Sequence, residues 1–210
     1  MKILYVGQSY GTSLQRVNTL KRLGHEVVLL DPYIILPKNR LVSKWVHATG
    51  LLGLSDLIAQ RVTQYLNDRF FDIIWVNGGD LISPDLLHEL KDHGTYVLNY
   101  NNDDPFSLPE YGEYQKWRLY RQCIPLYDLL VVVRPQNISE VLAKGAKKVL
   151  RVYLSADEVE HQPVTLSPEE RLRWQSEVCF IGTWFPERGP FMATLIQQGI
   201  PLAIWGNRWQ

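Results

Sequence analysis

The sequence is poor in features that would place a protein in a specialised class. Its 210 residues include only 2 cysteines, its formal net charge at pH 7 is zero, and its densest apolar run is too short to cross a bilayer. Two separated cysteines exclude a disulfide scaffold or a cysteine cluster, and they indicate a reducing compartment. Balanced charge argues against a broad electrostatic attraction to nucleic acid. We expect a soluble protein with no integral membrane segment and no nucleic-acid partner.

Several motifs are also missing. The 5 histidines form no H-E-x-x-H pair, so we expect no metal site, and no G-x-S-x-G elbow marks a serine hydrolase. Met1-Lys2 is followed by only four apolar residues before Gly7, which is too short for a secretory signal. We therefore expect the protein to lie in the cytoplasm.

What the sequence does contain is a regular alternation of short apolar runs and amphipathic segments. Strands are predicted at 2–6, 27–30, 73–76, 95–100, 129–133 and 148–153, with helical spacing between most of them. Such alternation is typical of a Rossmann-like α/β domain, a parallel sheet with helices on both faces, and we assign residues 1–155 to it. Thr12 or Ser13 is expected to cap the first helix. For the long connection 32–54, a helix and a mobile flap are both open.

The composition changes near residue 155. Residues 156–177 are polar and predict a linker with one short helix, and residues 178–210 predict a strand, a helix and a strand that begin a second Rossmann-like domain. One such unit is too small to cover both faces of its own sheet. We therefore expect the chain to be an incomplete, inactive fragment of a longer protein.

Ligands of open parallel sheets bind beyond the carboxyl ends of the strands, and this rule selects the loops that could carry function. In this sequence those loops are Gly7–Thr12, Asn77–Asp80, Asn101–Pro105, Arg134–Gln136, Gly182–Arg188 and Gly206–Arg208.

The first of these loops, Gly7–Thr12, leads into a helix N-terminus that could hold an anion. Its glycines are spaced G-x-x-x-G and not in the G-x-G-x-x-G pattern of dinucleotide enzymes. Asp31 nevertheless ends the second strand, where those enzymes place a ribose-binding acid. An ordinary turn with a capped helix, an acceptor contact and a dinucleotide site are all open at this point.

The stretch Asn99–Pro105 places two carboxylates, Asp103 and Asp104, among three amides at a strand end. One carboxylate could act as a general base toward a sugar hydroxyl, or the pair could bind a divalent cation. No third hard ligand has an obvious spacing, which disfavours the cation. The alternative is an Asx-rich turn fixed by Pro105, with its side chains bonded to nearby backbone.

The stretch Gly182–Gly189 also follows a strand and starts a helix. Gly182 would allow a ligand to approach the backbone closely, and Arg188 could pair with a diphosphate. A turn followed by a surface arginine explains the same residues equally well.

Several stretches together resemble the CgeB-type (spore-maturation-like) glycosyltransferases, which are related to the large GT-B group that uses nucleotide-sugar donors. The resemblance extends over essentially the whole chain and is carried by Gly11–Ser13, Leu23–Val27, Asn102–Pro105, Tyr153–Asp157 and Phe180–Arg188. The last stretch is similar to the G-x-x-x-x-E-K/R-G opening of GT-B donor domains.

The resemblance implies two Rossmann-like domains, an acceptor on the first, a nucleotide sugar mainly on the second, and neither a metal nor another cofactor. It implies catalytic roles for Asp103 and Asp104. It implies donor-binding roles for Gly182, Thr183 and Arg188, and it places Gly11, Thr12, Asp80 and Asn102 on the acceptor side. The sequence departs from many relatives in having Trp184 where they carry a basic residue. Donor sugar, acceptor and oligomeric state are not predicted.

Two further hypotheses remain at this stage. A non-catalytic binding or regulatory module would keep the fold without the activity. A dinucleotide oxidoreductase would rest on Gly7 and Asp31 alone.

Overall fold

Parallel strands form one large sheet in the first part of the chain. In the computed structural model, which describes residues 1–107 and 114–209, this sheet has 6 strands in the order β2-β1-β3-β4-β5-β6. The strands are β1 (Lys2–Val6), β2 (Glu26–Leu30), β3 (Phe71–Asn77), β4 (Gly94–Asn101), β5 (Leu129–Val132) and β6 (Val149–Arg151). Every neighbouring pair is parallel. The predicted Rossmann-like α/β class is confirmed.

Helices connect these strands. They are α1 (Gly11–Arg22), α2 (Arg40–Thr49), α3 (Ser55–Leu66), α4 (Pro84–Asp92), α5 (Arg118–Cys123) and α6 (Pro135–Ala143), with short 3₁₀ turns at Pro32–Ile35, Gln115–Trp117 and Ile124–Leu126. Of the two alternatives for the connection 32–54, a helix and a mobile flap, the helix is confirmed by α2. The predicted cap of α1 was wrong, because Tyr10 is the N-cap residue and makes no side-chain cap bond, whereas Ser13 is buried with its hydroxyl 3.5 Å from that of Tyr5.

The strand register separates two faces of the sheet. Leu4, Ile74 and Val97 are aligned across β1, β3 and β4, and they share one buried core with the inner sides of α3, α4, α5 and α6. Tyr5, Trp75 and Leu98 are aligned on the opposite face, which α1 covers in part. Continuous apolar strands are required because both faces pack against other side chains.

The strand order changes direction between β1 and β3. The chain moves from β1 outward to β2 and then returns to place β3 on the other side of β1. The loops after β1 and β3 therefore diverge at a topological switch point, where open α/β sheets commonly bind ligands. This position contains Gly7–Tyr10 and Gly78–Asp80.

The chain divides into two compact units, Met1–His161 and Gln162–Gln210. The second unit contains α7 (Pro168–Trp174), β7 (Val178–Ile181), α8 (Arg188–Gln197) and β8 (Leu202–Trp205). Its strands β7 and β8 form a separate two-stranded parallel sheet. Ser167 and Glu170 close a reciprocal capping box at the start of α7.

Across the described ranges 1–107 and 114–209, we find no helix whose length and apolar character would allow it to span a membrane.

Candidate functional site

The tips of β1 and β2 are joined by a buried carboxylate. Asp31 Oδ2 accepts hydrogen bonds from the backbone N–H and the hydroxyl of Ser9 at 2.8 and 2.7 Å, and its Oδ1 accepts from Tyr33 N at 2.9 Å. Asp31 is only 6% exposed. This carboxylate holds two loops together and has little surface left for a ribose, so its geometry gives no support to the oxidoreductase hypothesis.

The turn after β3 is shaped by two glycines and by one buried amide. Gly78 and Gly79 adopt φ values of 80° and 101°, which favour glycine. The Nδ2 of Asn99 donates to Gly78 O at 2.9 Å, and a Cβ at residue 79 would lie 3.0 Å from the same nitrogen. The Asn77–Asp80 turn is therefore packed closely against β4.

Asp80 lies at a cavity of about 370 Å³ at this edge of the sheet. The cavity is also bordered by Tyr33, by Lys116 and by one side of α2, including Val42 and Val46. The hydroxyl of Tyr33 donates a short hydrogen bond to Asp80 Oδ1. A carboxyl, a phenol and an ammonium group thus converge on one apolar-walled space, an arrangement suited to a polar ligand of small size.

Burial dominates the electrostatics of this group of side chains. The pKa of Asp80 is raised above its ordinary value because desolvation disfavours the carboxylate, although the Tyr33 hydrogen bond and the nearby Lys116 charge act in the opposite direction. The pKa of Tyr33 is raised well above its usual range by burial first and by the adjacent Asp80 second. A carboxyl with a raised pKa beside a cavity is a common property of acid–base sites.

The loop after β4 separates its two acids. Asp104 Oδ1 accepts from Phe106 N at 3.0 Å and from Asn137 Nδ2 at 3.0 Å, so its carboxylate is used to fix the turn. Asp103 is exposed, and its negative charge contributes to the raised pKa of Asp80. The structure thus brings Asp80 and Asp103 into electrostatic range and gives Asp104 the Asx-turn contacts of the structural alternative.

Asn102 also takes part in this loop through its backbone. Its carbonyl accepts from Arg134 Nη1 at 2.6 Å, which joins the tips of β4 and β5. The side chain of Asn101, only 2% exposed, accepts from Asp103 N at 2.9 Å. The amides of this stretch therefore shape the loop that carries Asp103.

The predicted acceptor-side residues of the first loop lie elsewhere. Gly11 is exposed with φ 58°, and Thr12 borders a second cavity of about 510 Å³ on the α1 side of the sheet. Arg16 also borders this cavity, and it donates to Asn77 Oδ1 at 3.1 Å and to the Tyr100 hydroxyl at 3.2 Å. Thr12 and Asp80 do not border the same cavity.

The predicted donor loop belongs to the second unit and is closed by its own contacts. Arg188 Nη1 donates to Thr183 O at 2.8 Å, and its guanidinium lies 4.7 Å from the ring centre of Phe185. The carbonyl of Gly182 accepts from Trp209 Nε1 at 2.7 Å. Gly182, Thr183 and Arg188 are thus brought together in one loop at the start of α8, with the arginine also serving as a brace.

Sequence reasoning did not identify Tyr33 and Lys116 as members of the site. Tyr33 lies in the connection 32–54, which the sequence does not assign to one structure, and Lys116 lies far away in the sequence. Lone polar residues in loops carry little signal on their own. Only the proximity of the 3₁₀ turns at Pro32–Ile35 and Gln115–Trp117 to the tip of β3 connects them with Asp80.

Among the residues that the structure describes, no group of three or more histidine, cysteine or acidic side chains is placed to hold a metal ion. The two cysteines lie in different units, Cys123 buried and Cys179 exposed.

The sheet order and the flanking helices define a Rossmann-like α/β protein with a cavity at the strand-end edge of its sheet. The chain is similar in structure to sucrose-phosphate synthase from Thermosynechococcus elongatus, with a TM-score of 0.60 over 98% of this chain and 70% of that chain. The sequence identity is 10%, so the likeness describes the fold alone.

No protein-family model matches the sequence, and no curated protein matches it either. The CgeB-type assignment accordingly stays a prediction.

Proposed function

We propose that the protein is a GT-B glycosyltransferase that transfers a sugar from a nucleotide-sugar donor to an acceptor hydroxyl. The observation that carries the proposal is the cavity at the strand-end edge of a GT-B-like sheet, where Asp80, Tyr33 and Lys116 converge. The structural likeness to a sucrose-phosphate synthase is consistent with such an activity.

In this proposal Asp103 is the general base. It is exposed, and unlike Asp104 it has no side-chain hydrogen bond within the described part of the chain, so it can accept a proton from an acceptor hydroxyl. Asp104 positions the loop through Phe106 N and Asn137. Asp80 binds a hydroxyl of the acceptor at the cavity wall through its carboxyl group, whose pKa is raised by burial.

The donor contacts are assigned to the loop at the start of α8. The positive end of the α8 helix dipole, together with the guanidinium of Arg188, would stabilise negative charge on the leaving diphosphate without a metal ion. Gly182, whose N–H donates to Trp205 O at 2.8 Å, and Thr183 would shape this loop around the phosphates. Arg188 already donates to Thr183 O, which keeps its guanidinium at this loop.

Donor binding is tested by thermal unfolding of the full-length protein with UDP, GDP, ADP or TDP at millimolar levels. We expect one of them to stabilise the chain, by about 2.7 kcal/mol when its concentration is a hundredfold above Kd. Arg188→Ala should abolish the shift. The control Arg173→Ala, an exposed arginine that stacks on Trp174, should retain it. A lack of response to all four nucleotides would count against the proposal.

Catalysis is tested by sugar-nucleotide turnover of the full-length protein and its loop variants. Asp103→Asn should lower kcat by about 10²- to 10⁴-fold, the usual contribution of a general base. Asp104→Asn should keep most of the activity, because an amide oxygen still accepts from Phe106 N. Equal loss in both variants would assign the effect to loop structure and not to proton transfer.

The non-catalytic module is the second candidate. It is favoured by the internal partners of Asp104 and Arg188, which would leave both side chains in structural roles. It predicts no sugar-nucleotide turnover, and a phenotype that is insensitive to Arg188→Ala and to Asp104→Asn.

A further inference from the structure

A row of large apolar side chains on α2 and in the turn that follows it faces solvent. Leu41, Trp45 and Leu52 are 74%, 50% and 56% exposed. Leu41 and Trp45 are four residues apart, which places them on the same side of the helix, and the Trp45 Nε1 donates to Leu52 O at 3.0 Å. Leu52 is therefore joined to the same row. Three large apolar groups in one exposed row are more than scattered surface residues.

The helix that presents this row is anchored to the first unit by its other side. Val46 packs against the main core, and Arg118 Nη2 donates to Gly50 O at 3.0 Å immediately after the helix. Gly50 ends α2 in the left-handed conformation with φ 61°. The exposed row is therefore held in place by a fixed scaffold.

A depression lies beside this row. A shallow depression of about 520 Å³ is lined by Leu41, Val42, Lys44, Trp45, Ala48 and Leu54. All but one of these side chains are apolar. The depression thus has an apolar lining of the kind that an acyl chain contacts.

The charge within the segment that carries the row has one sign. The sequence contains no aspartate or glutamate between Asp31 and Asp56, while Lys38, Arg40 and Lys44 all lie in that interval and are exposed. The formal net charge of the whole chain is zero, so this positive charge is local. We name Lys38, Arg40, Leu41, Lys44, Trp45 and Leu52 the α2 face.

We propose that the α2 face docks the protein on an anionic lipid surface, with Leu41 and Trp45 inserted at the headgroup level and the basic side chains on the lipid phosphates. Interfacial helices combine such an apolar row with lysine and arginine, and tryptophan favours the headgroup region. A protein partner fits less well, because lysine is depleted at protein interfaces. This docking does not depend on the proposed transfer activity.

The test is flotation of the 210-residue chain with vesicles of pure phosphatidylcholine and vesicles containing 30 mol % phosphatidylglycerol. We expect binding to the anionic vesicles only, weakening at 0.5 M salt. Joint Lys38→Glu, Arg40→Glu and Lys44→Glu substitution should lower the partition coefficient by at least a hundredfold, since each basic residue near such a surface contributes about fivefold. Leu41→Ser with Trp45→Ser should also release the protein.

A matched control uses Lys144→Glu with Lys148→Glu, which reverses exposed charges in another part of the first unit. This variant should bind like the unchanged chain, and circular dichroism should show the same melting for all variants. Equal binding to both vesicle types, or loss of binding in the control, would overturn the proposal. A concentration-dependent dimer in sedimentation velocity that Leu41→Ser abolishes would assign the face to a second copy of the chain instead.

Discussion

The two units differ sharply in how they bury their apolar side chains. In the first, Ile74 on β3 is 0% exposed within a core shared by four helices, whereas in the second Ile181 on β7 is 78% exposed. Met192 is the only fully buried side chain in the described residues 162–209. A strand–helix–strand unit of this size has too much surface for its volume to close a core. The first unit is therefore stabilised by packing and the second mainly by local contacts.

Those local contacts are identifiable. Trp174 and Trp205 lie with ring centres 4.6 Å apart, Phe180 meets Trp209 at 5.8 Å, and Ser167 caps α7. Aromatic pairs and caps each contribute on the order of 1 kcal/mol. The comparison teaches that identical substitutions in the two units should have unequal consequences.

The largest difference is expected for one isoleucine from each sheet. Ile74→Ala removes a fully buried side chain and leaves a cavity, which should lower the free energy of unfolding by about 2–5 kcal/mol. Ile181→Ala removes an exposed side chain and should change it by less than about 0.5 kcal/mol. Urea unfolding of both variants measures the difference. Similar losses would show that Ile181 is covered in solution.

Glycines with positive φ offer a second comparison. Gly79→Ala meets both the strained φ and the buried Asn99 amide, so it should cost about 2–3 kcal/mol. Gly199→Ala, with φ 79° and open space around its Cβ, should show only the backbone strain of about 1 kcal/mol. Chemical denaturation is again the measurement, and an equal cost would mean that the β3 turn is looser than its contacts indicate.

Two carboxyls of the first unit should respond to pH with opposite signs. The pKa of Asp80 is raised in the folded state, so the folded chain keeps this proton at pH values above 3.8 where the unfolded chain has lost it. The free energy of unfolding therefore falls as the pH rises from 3.8 through the raised pKa. Asp80→Asn should remove this fall, so the stability of the variant relative to the unchanged chain should increase as the pH rises above 3.8.

Asp157 provides the opposite case. A hydrogen bond from Arg22 at 2.9 Å holds the pKa of Asp157 well below its usual range, so its contribution is present above 3.8 and is lost as the pH falls. Asp157→Asn should therefore be most destabilising at neutral pH and progressively less so toward pH 3. Urea midpoints at several pH values measure both trends, and two slopes of the same sign would contradict the assignment.

The smallest difference is expected for two equivalent helix caps. Ser83 begins α4 and Ser167 begins α7, and each hydroxyl accepts a backbone N–H at 3.2 Å. Ser83→Ala should lower the free energy of the main unfolding transition by about 1 kcal/mol. Ser167→Ala should lower only the helix content of the second unit, measured by hydrogen exchange of α7, and leave the main transition unchanged. A shift of that transition by Ser167→Ala would show that the two units unfold together.

Several parts of the site were accessible from the sequence because they depend on local chemistry. The strand-end loops were predicted from apolar runs, and the Asn101–Pro105 turn has the Asx bonding that its composition allowed. The hydrogen bonds between Asp104 and Asn137 and between Asp31 and Ser9 were not predicted, because each joins loops that follow different strands. A sequence pattern indicates whether a residue is buried, but it does not indicate which distant loop the residue contacts.

The alternation of continuous apolar strands and amphipathic helices determined that this chain would form a covered parallel sheet, since hydrophobic periodicity depends only on near neighbours along the chain. Strand order was decided only in the folded structure. It placed the loops after β1 and β3 at the switch point and brought Tyr33, Asp80 and Lys116 together from three distant stretches. Their proximity follows from tertiary packing, because no local preference acts between residues so far apart.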